Sequence, residues 1–415
     1  MKHSPLTQSE RIVLIDALRG FALLGILMVN VHLMYEPMYS MMAGADPDAS
    51  VKHIVAESFV KFFFEGKFYV IFSMLFGFGF FMFLNKSKDT GDSALPVFKR
   101  RLFYLLLIGL AHIGLLWAGD ILVFYALFGF LLILYRKATD KKIIRWAVIL
   151  TVIPTFLMAL MVLVIDLFSQ IPEAKAEMDA QFQGSMLAIN ELLNRASLVY
   201  STGSFSEMVS VRFEEYFSLL VGGLFFFCPV VLAMFLTGYL AGRKGIIANY
   251  TSHLPLFRKM FWWGMAIGAV TSALYTIAYR HAITNVPDGW SLLASSMHFA
   301  GGISLGLCYI SGIVILFSKG RAAWLARNFA PIGRMALTNY LLQSLIGALL
   351  FHSYGLGLFG KVEMWQGIVM AMVIFTLQVM FSRWWLSRYR FGPFEWLWRS
   401  LTYFQMQPIR KKVSI

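Results

Sequence analysis

Thiol chemistry has little to work with in this chain. Cys228 and Cys308 are its two cysteines in 415 residues, and both sit in apolar runs. Neither a disulfide framework nor a thiolate metal site follows from them. Charge is scarce as well: 14% of residues are charged against 59% hydrophobic. That balance excludes an ordinary soluble domain. There is no HExxH and no cluster of His and Cys, so no metal is expected. The Gly- and Phe-rich run Leu75-Phe76-Gly77-Phe78-Gly79-Phe80 has no Walker lysine after it and reads as packing. Regular polar/apolar alternation, the mark of a membrane β-barrel, is also missing.

What is present is a series of continuous apolar runs, with a mean hydropathy of +0.68. Ten are long enough to cross a bilayer, at 12–34, 60–84, 101–117, 121–136, 145–168, 214–241, 260–280, 291–317, 335–352 and 364–384. An all-α, polytopic transmembrane helix bundle in the lipid bilayer follows. The N-terminal run is too long, and lacks the small-residue cleavage site, for a cleaved signal. A net charge of +14 resembles a nucleic-acid signal, but the basic residues gather in every second loop. Lys86, Lys88, Lys99, Arg100 and Arg101 form one such group; Arg136, Lys137, Lys141, Lys142 and Arg145 form the next. Arg243, Lys244, Arg258 and Lys259 follow, then Lys319, Arg321, Arg327 and Arg334, and the tail ends in Arg410, Lys411 and Lys412. The positive-inside rule puts these loops and both termini in the cytoplasm, and no nucleic-acid partner is expected. The chain divides into an N-terminal half (1–168), a polar extracytoplasmic segment (169–212) with short amphipathic helices, and a C-terminal half (213–415). The C-terminal half closes with an interfacial tail helix. There Pro393 suits the first helical position, Glu395 and Arg399 can pair, and Trp396 and Trp398 anchor.

Polar residues inside apolar runs cost about 2.5–3.5 kcal/mol each on insertion scales and point to partners or wet cavities. The first run carries Asp16 and Arg19, three residues apart on one helix face. Asn30 lies on that face too, roughly 16 Å along the axis from Arg19. His112 in the third run is followed by Asp120 at the outer turn and Tyr125 in the fourth run. A carboxylate beside a histidine can orient it as a base, whereas a purely structural histidine would bond a neighbouring backbone. Glu65 and Lys67 lie near the outer part of the second run, with Lys67 expected to snorkel outward. His298 precedes Gly302 and Gly306, a GxxxG pair suited to close packing or to ligand space; Gly238 and Gly242 form another. Asn339 and Gln343 share a helix face, where amides commonly bond helix to helix.

Several segments resemble the YeiB family of bacterial inner-membrane proteins. They are Arg11–Ile26, Gly119-Asp120-Ile121-Leu122, Gly333-Arg334-Met335-Ala336-Leu337-Thr338-Asn339-Tyr340-Leu341-Leu342-Gln343-Ser344, and Gly392-Pro393-Phe394-Glu395-Trp396-Leu397-Trp398-Arg399. The resemblance covers most of the chain and implies a bacterial plasma (inner) membrane location. The start Asp16-x-x-Arg19-Gly20 is also similar to the transmembrane acyltransferase superfamily. In its polysaccharide O-acylating members an arginine is followed, after ten residues, by histidine; here that count reaches Asn30. The heparan-glucosaminide N-acetyltransferases resemble this chain in having asparagine there. They also use a histidine in the following loop, where this chain, around Met41, has none.

The expected activity is acyl transfer from cytoplasmic acyl-CoA, as co-substrate, to an extracytoplasmic or lipid-linked acceptor, such as a glycan or a lipid. His112, Asp120 and Asn30 are the expected catalytic residues. Asp16, Arg19, Lys67, Tyr125, His298, Asn339 and Gln343 are the expected substrate contacts. A small-molecule or lipid transporter is the alternative, marked by a cavity that opens to either side. A non-catalytic scaffold is the third reading, marked by a filled bundle.

Overall fold

A computed structural model of the chain describes residues 12–46, 48–88, 94–282 and 287–411; Arg11 and Lys412, and the side chains of Lys86 and Lys88, lie outside that description. The described residues are helical throughout, joined by short turns. The first part comprises α1 (Val13–Tyr35), α2 (Ser40–Ala43), α3 (Val51–Phe63), α4 (Phe68–Lys88), α5 (Ala94–Leu115), α6 (Leu122–Leu134) and α7 (Asp140–Ser169). α8 (Pro172–Thr202) and α9 (Phe205–Gly222) follow, and a π-helical turn, Gly223–Phe227, joins α9 to α10 (Cys228–Arg243). The remainder is α11 (Leu254–His281), α12 (Gly289–Ser318), α13 (Ala323–Arg334), α14 (Ala336–Phe351), α15 (Met364–Arg388) and α16 (Pro393–Tyr403). An isolated antiparallel bridge between Tyr389 and Arg410 folds the tail back.

Helix starts follow their capping residues. Ser50 accepts from the His53 amide, Thr139 from Lys142 and Asp288 from Ser291. Ser204 and Glu207 form a reciprocal capping box. Pro172 and Pro393 open α8 and α16, where a missing N–H costs nothing.

All ten apolar runs fall on helices. Among the described residues seven helical stretches are long and apolar enough to cross a membrane, and α6 and α14 are shorter apolar helices. α5 completes the set, with Lys99, Arg100 and Arg101 in its first third. The outward surface is greasy: Val148, Val152, Phe156, Leu160 and Leu163 of α7 are exposed, as are Trp262, Trp263 and Val270 of α11. A helical protein in hydrocarbon shows such a surface because its backbone is satisfied internally and needs no water. The polar segment differs from expectation. Short helices were expected at 169–212, whereas α8 is one continuous helix of 31 residues with Ile189, Ala196 and Tyr200 buried. No glycine or proline interrupts it apart from Gly184, which leaves open space around its Cα.

Small residues set the closest approaches. A Cβ on Gly20 would strike the Phe329 carbonyl, and one on Gly333 would strike that of Asp16, so α1 and α13 touch backbone to backbone. Gly238 and Gly77 do the same for α10 and α4. Gly302 meets the backbone of Gly66. Both GxxxG pairs therefore serve packing.

Candidate functional site

α1 presents Asp16, Arg19, Leu23 and Ile26 to a cavity of about 300 Å³. α4 contributes Phe72, Phe76 and Gly79, α5 contributes Arg101 and Leu105, and α6 contributes Leu122 and Tyr125. The α13–α14 junction adds Arg334, Leu337 and Tyr340, and α16 adds Glu395, Trp398 and Arg399. One end is strongly basic. Arg101 lies within electrostatic reach of Arg19 and Arg399. Arg19 is held 3.3 Å from Asp16, with about a third of its side chain exposed. The Arg19 guanidinium packs beside Gly79, at a distance where a Cβ would make ordinary contact with it. The Arg101 guanidinium sits 3.9 Å over the Trp398 ring, and Trp398 Nε1 donates to the Arg101 carbonyl at 2.9 Å. The tail helix thus forms part of the cavity wall. Its Glu395 accepts from the Leu337 amide (2.6 Å), the Thr338 amide (3.1 Å) and Thr338 Oγ1 (2.6 Å). It serves as a remote cap for the first turn of α14. Burial pushes its carboxyl above the usual carboxylate range despite those donors.

The other end is apolar and closes on Tyr125 and Tyr340. The Tyr125 hydroxyl is paired with Ser73 Oγ at 2.8 Å. Tyr340 donates to the Gly119 carbonyl at 3.1 Å and lays its ring 5.1 Å, centroid to centroid, from that of His112. Directly behind Tyr340 lies a buried polar triplet. His112 Nδ1 is 2.9 Å from Asp120 Oδ2, facing it as a close electrostatic contact without hydrogen-bond alignment. His112 Nε2 is 2.8 Å from Ser344 Oγ. Asp120 Oδ1 accepts from the Val123 amide at 2.7 Å, which pins the carboxylate to the first turn of α6. All three residues are buried. A carboxylate, an imidazole and a hydroxyl in that order can withdraw a proton from an oxygen nucleophile.

The expected site residues divide into two sets. Asp16, Arg19 and Tyr125 line the cavity, and His112 and Asp120 stand behind its end wall. Asn30 is half-buried outside the cavity, beyond Ile26, and its side chain makes no hydrogen bond among the described residues. Lys67 does not snorkel. It is 1% exposed and donates to the Lys61 carbonyl at 2.8 Å, since the turn between α3 and α4 carries it inward. His298 faces Glu65 at 4.0 Å in the same ionic cluster, where Tyr275 donates to Glu65 at 2.7 Å and Lys61 lies 3.2 Å from it. Asn339 donates to Ser382 Oγ (3.0 Å) and Gln343 to Gln378 (2.9 Å), so both amides join α14 to α15 away from the cavity. Ser344, Tyr340, Arg101 and Arg399 were not among the expected site residues. Ser344 and Tyr340 share the α14 segment with Asn339 and Gln343, but 232 residues separate Ser344 from His112 and no spacing rule joins them.

Residues 241–405 match the family described as "Protein of unknown function (DUF418)". The chain is 33% identical to the uncharacterized protein YxaH of Bacillus subtilis (strain 168), over 99% of each chain. It is 29% identical to the uncharacterized protein YeiB of Escherichia coli (strain K12), over 98% of this chain and all of that one. It is 28% identical to an uncharacterized 39.9 kDa protein encoded in the amylase 3' region of Bacillus acidopullulyticus, over 98% of each chain.

Proposed function

The chain belongs to the YeiB-like DUF418 family, and on that premise we propose that it is a plasma-membrane acyltransferase. The donor is a cytoplasmic acyl-CoA and the acceptor a glycan or lipid hydroxyl or amine. The observation that carries this reading is the alignment of a basic cavity mouth with the His112–Asp120 pair behind its far wall. Arg19, Arg101 and Arg399 suit the phosphates of the donor, whose charge is best matched by guanidinium groups. The apolar bore suits an acyl-pantetheine arm. His112 takes the proton of the attacking group, Asp120 holds the imidazole, and the thiolate leaves with that proton as the acyl carbon–sulfur bond breaks.

Isothermal calorimetry of the purified protein with acetyl-CoA and octanoyl-CoA tests the reading. Binding weakened at least tenfold in Arg19→Gln and Arg101→Gln is expected, together with CoA release that His112→Gln abolishes. No acyl-CoA binding by the wild-type protein overturns it.

A transport reading draws on one observation. The second apolar run is interrupted at residues 64–67, α9 passes into α10 through a π turn, and α13 breaks from α14 at Met335. Transporters use broken helices to line substrate paths. Solute flux into proteoliposomes without CoA release favours that alternative. The cavity itself argues against a filled, non-catalytic scaffold.

A further inference from the structure

Ser344, like Ser73 and Ser382, bonds a side chain of another helix, and its partner is an imidazole. Serines and threonines in the bundle mostly return their proton to the carbonyl four residues back, as Ser296 does at 2.7 Å, Thr237 at 2.9 Å and Thr276 at 2.8 Å. For Ser344 that contact, to the Tyr340 carbonyl, has stretched to 3.5 Å, while His112 Nε2 stands at 2.8 Å. The hydroxyl is therefore committed to the imidazole. Asp120 faces the other ring nitrogen, which favours a proton on Nδ1 and leaves the Nε2 lone pair toward Ser344. The carboxylate, imidazole and hydroxyl stand in the order that acyl transfer through an oxygen nucleophile uses. One turn before Ser344, the same helix supplies Tyr340 to the cavity wall.

Resting on the acyl-transfer reading, we infer that Ser344 is the nucleophile that first receives the acyl group, so that transfer runs through an acyl-serine. Its Oγ attacks the thioester carbonyl carbon and its proton passes to His112 Nε2. The carbon–sulfur bond breaks, the sulfur takes that proton, and CoA leaves as the thiol. In the second half the acceptor hydroxyl or amine attacks the Ser344 ester, its proton moves to His112, and from there to the departing Oγ. The net change is thioester plus acceptor to acylated acceptor plus thiol, with no other reactant. Ser344 is 1% exposed, so the thioester reaches it only when the Tyr340 ring leaves the wall and releases the Gly119 carbonyl.

The test uses the full-length protein in detergent micelles, mixed with octanoyl-CoA, quenched in acid and read by intact mass and peptide mapping. The expected result is one octanoyl group on the peptide carrying Ser344. The adduct disappears in Ser344→Ala, which still binds octanoyl-CoA with wild-type affinity. In Ser344→Cys it returns as a thioester cleaved by neutral hydroxylamine, which also shows that the variant is folded. If wild type and Ser344→Cys both bind octanoyl-CoA and release CoA without any adduct, the inference is overturned and direct transfer by His112 remains. If neither binds octanoyl-CoA, the acyl-transfer reading falls first and takes the inference with it.

Discussion

Asp120 holds two partners with its two oxygens, and they separate a structural from a chemical role at one residue. Oδ1 accepts from Val123 N, a contact an amide oxygen can also make; Oδ2 faces His112, where the charge matters. Asp120→Asn should therefore keep its helical circular dichroism and elution volume while CoA release falls by about 10²–10⁴-fold, the usual worth of positioned acid–base chemistry. An unchanged rate would reduce the pair to packing. A second carboxylate gives a pH signature. Glu36, just past α1, has its pKa raised from 4.5 to about 7, first by burial and then by the nearby Glu57 and Asp46 carboxylates. Because the folded protein holds this proton more tightly than the unfolded chain, the contribution to stability is complete below pH 4.5 and is lost as pH rises through about 7. Melting temperatures across pH 5–8 should fall less in Glu36→Gln than in wild type.

At the scale of helices, the α13–α14 break is held by a residue from elsewhere in the chain. The open amides of α14 are satisfied by Glu395 of α16, so Glu395→Ala strands two buried N–H groups. The expected cost is about 1–3 kcal/mol, seen as a lower melting temperature in detergent, with Glu395→Gln milder because one oxygen still accepts. Continuous apolar runs made the helices themselves legible, and the GxxxG spacings made the packing faces legible. The breaks were not. The interruption at 64–67 falls at Glu65-Gly66-Lys67, polar residues inside the one continuous 60–84 span expected from the sequence. Glu395 and Arg399 sit at the right spacing for a helical pair, but the Glu395 carboxylate is drawn to α14, because spacing along one helix says nothing about the helix packed beside it.

Across the whole molecule, the candidate site was half legible. His112 and Asp120 are close in sequence and flank a single turn, so a local reading joined them. Arg19 and Tyr125 announced themselves as polar groups in apolar runs. Ser344, Arg101 and Arg399 reach the same place only through the packing of α5, α14 and α16, and the helical stripe that suggested Asn30 runs out of the cavity after Ile26. The assembled cavity carries the last prediction. A ligand that binds only the folded state stabilises it by about 2.7 kcal/mol at a hundred times its dissociation constant. Octanoyl-CoA at that excess should raise the melting temperature, and coenzyme A alone should also raise it if its phosphates lie at the arginine end. The effect of both should shrink as ionic strength rises from low to 0.5 M, because the partly exposed Arg19 is screened. A shift that resists salt and needs only the fatty chain would place the ligand on the exposed apolar belt instead, and the cavity would lose its claim to the donor.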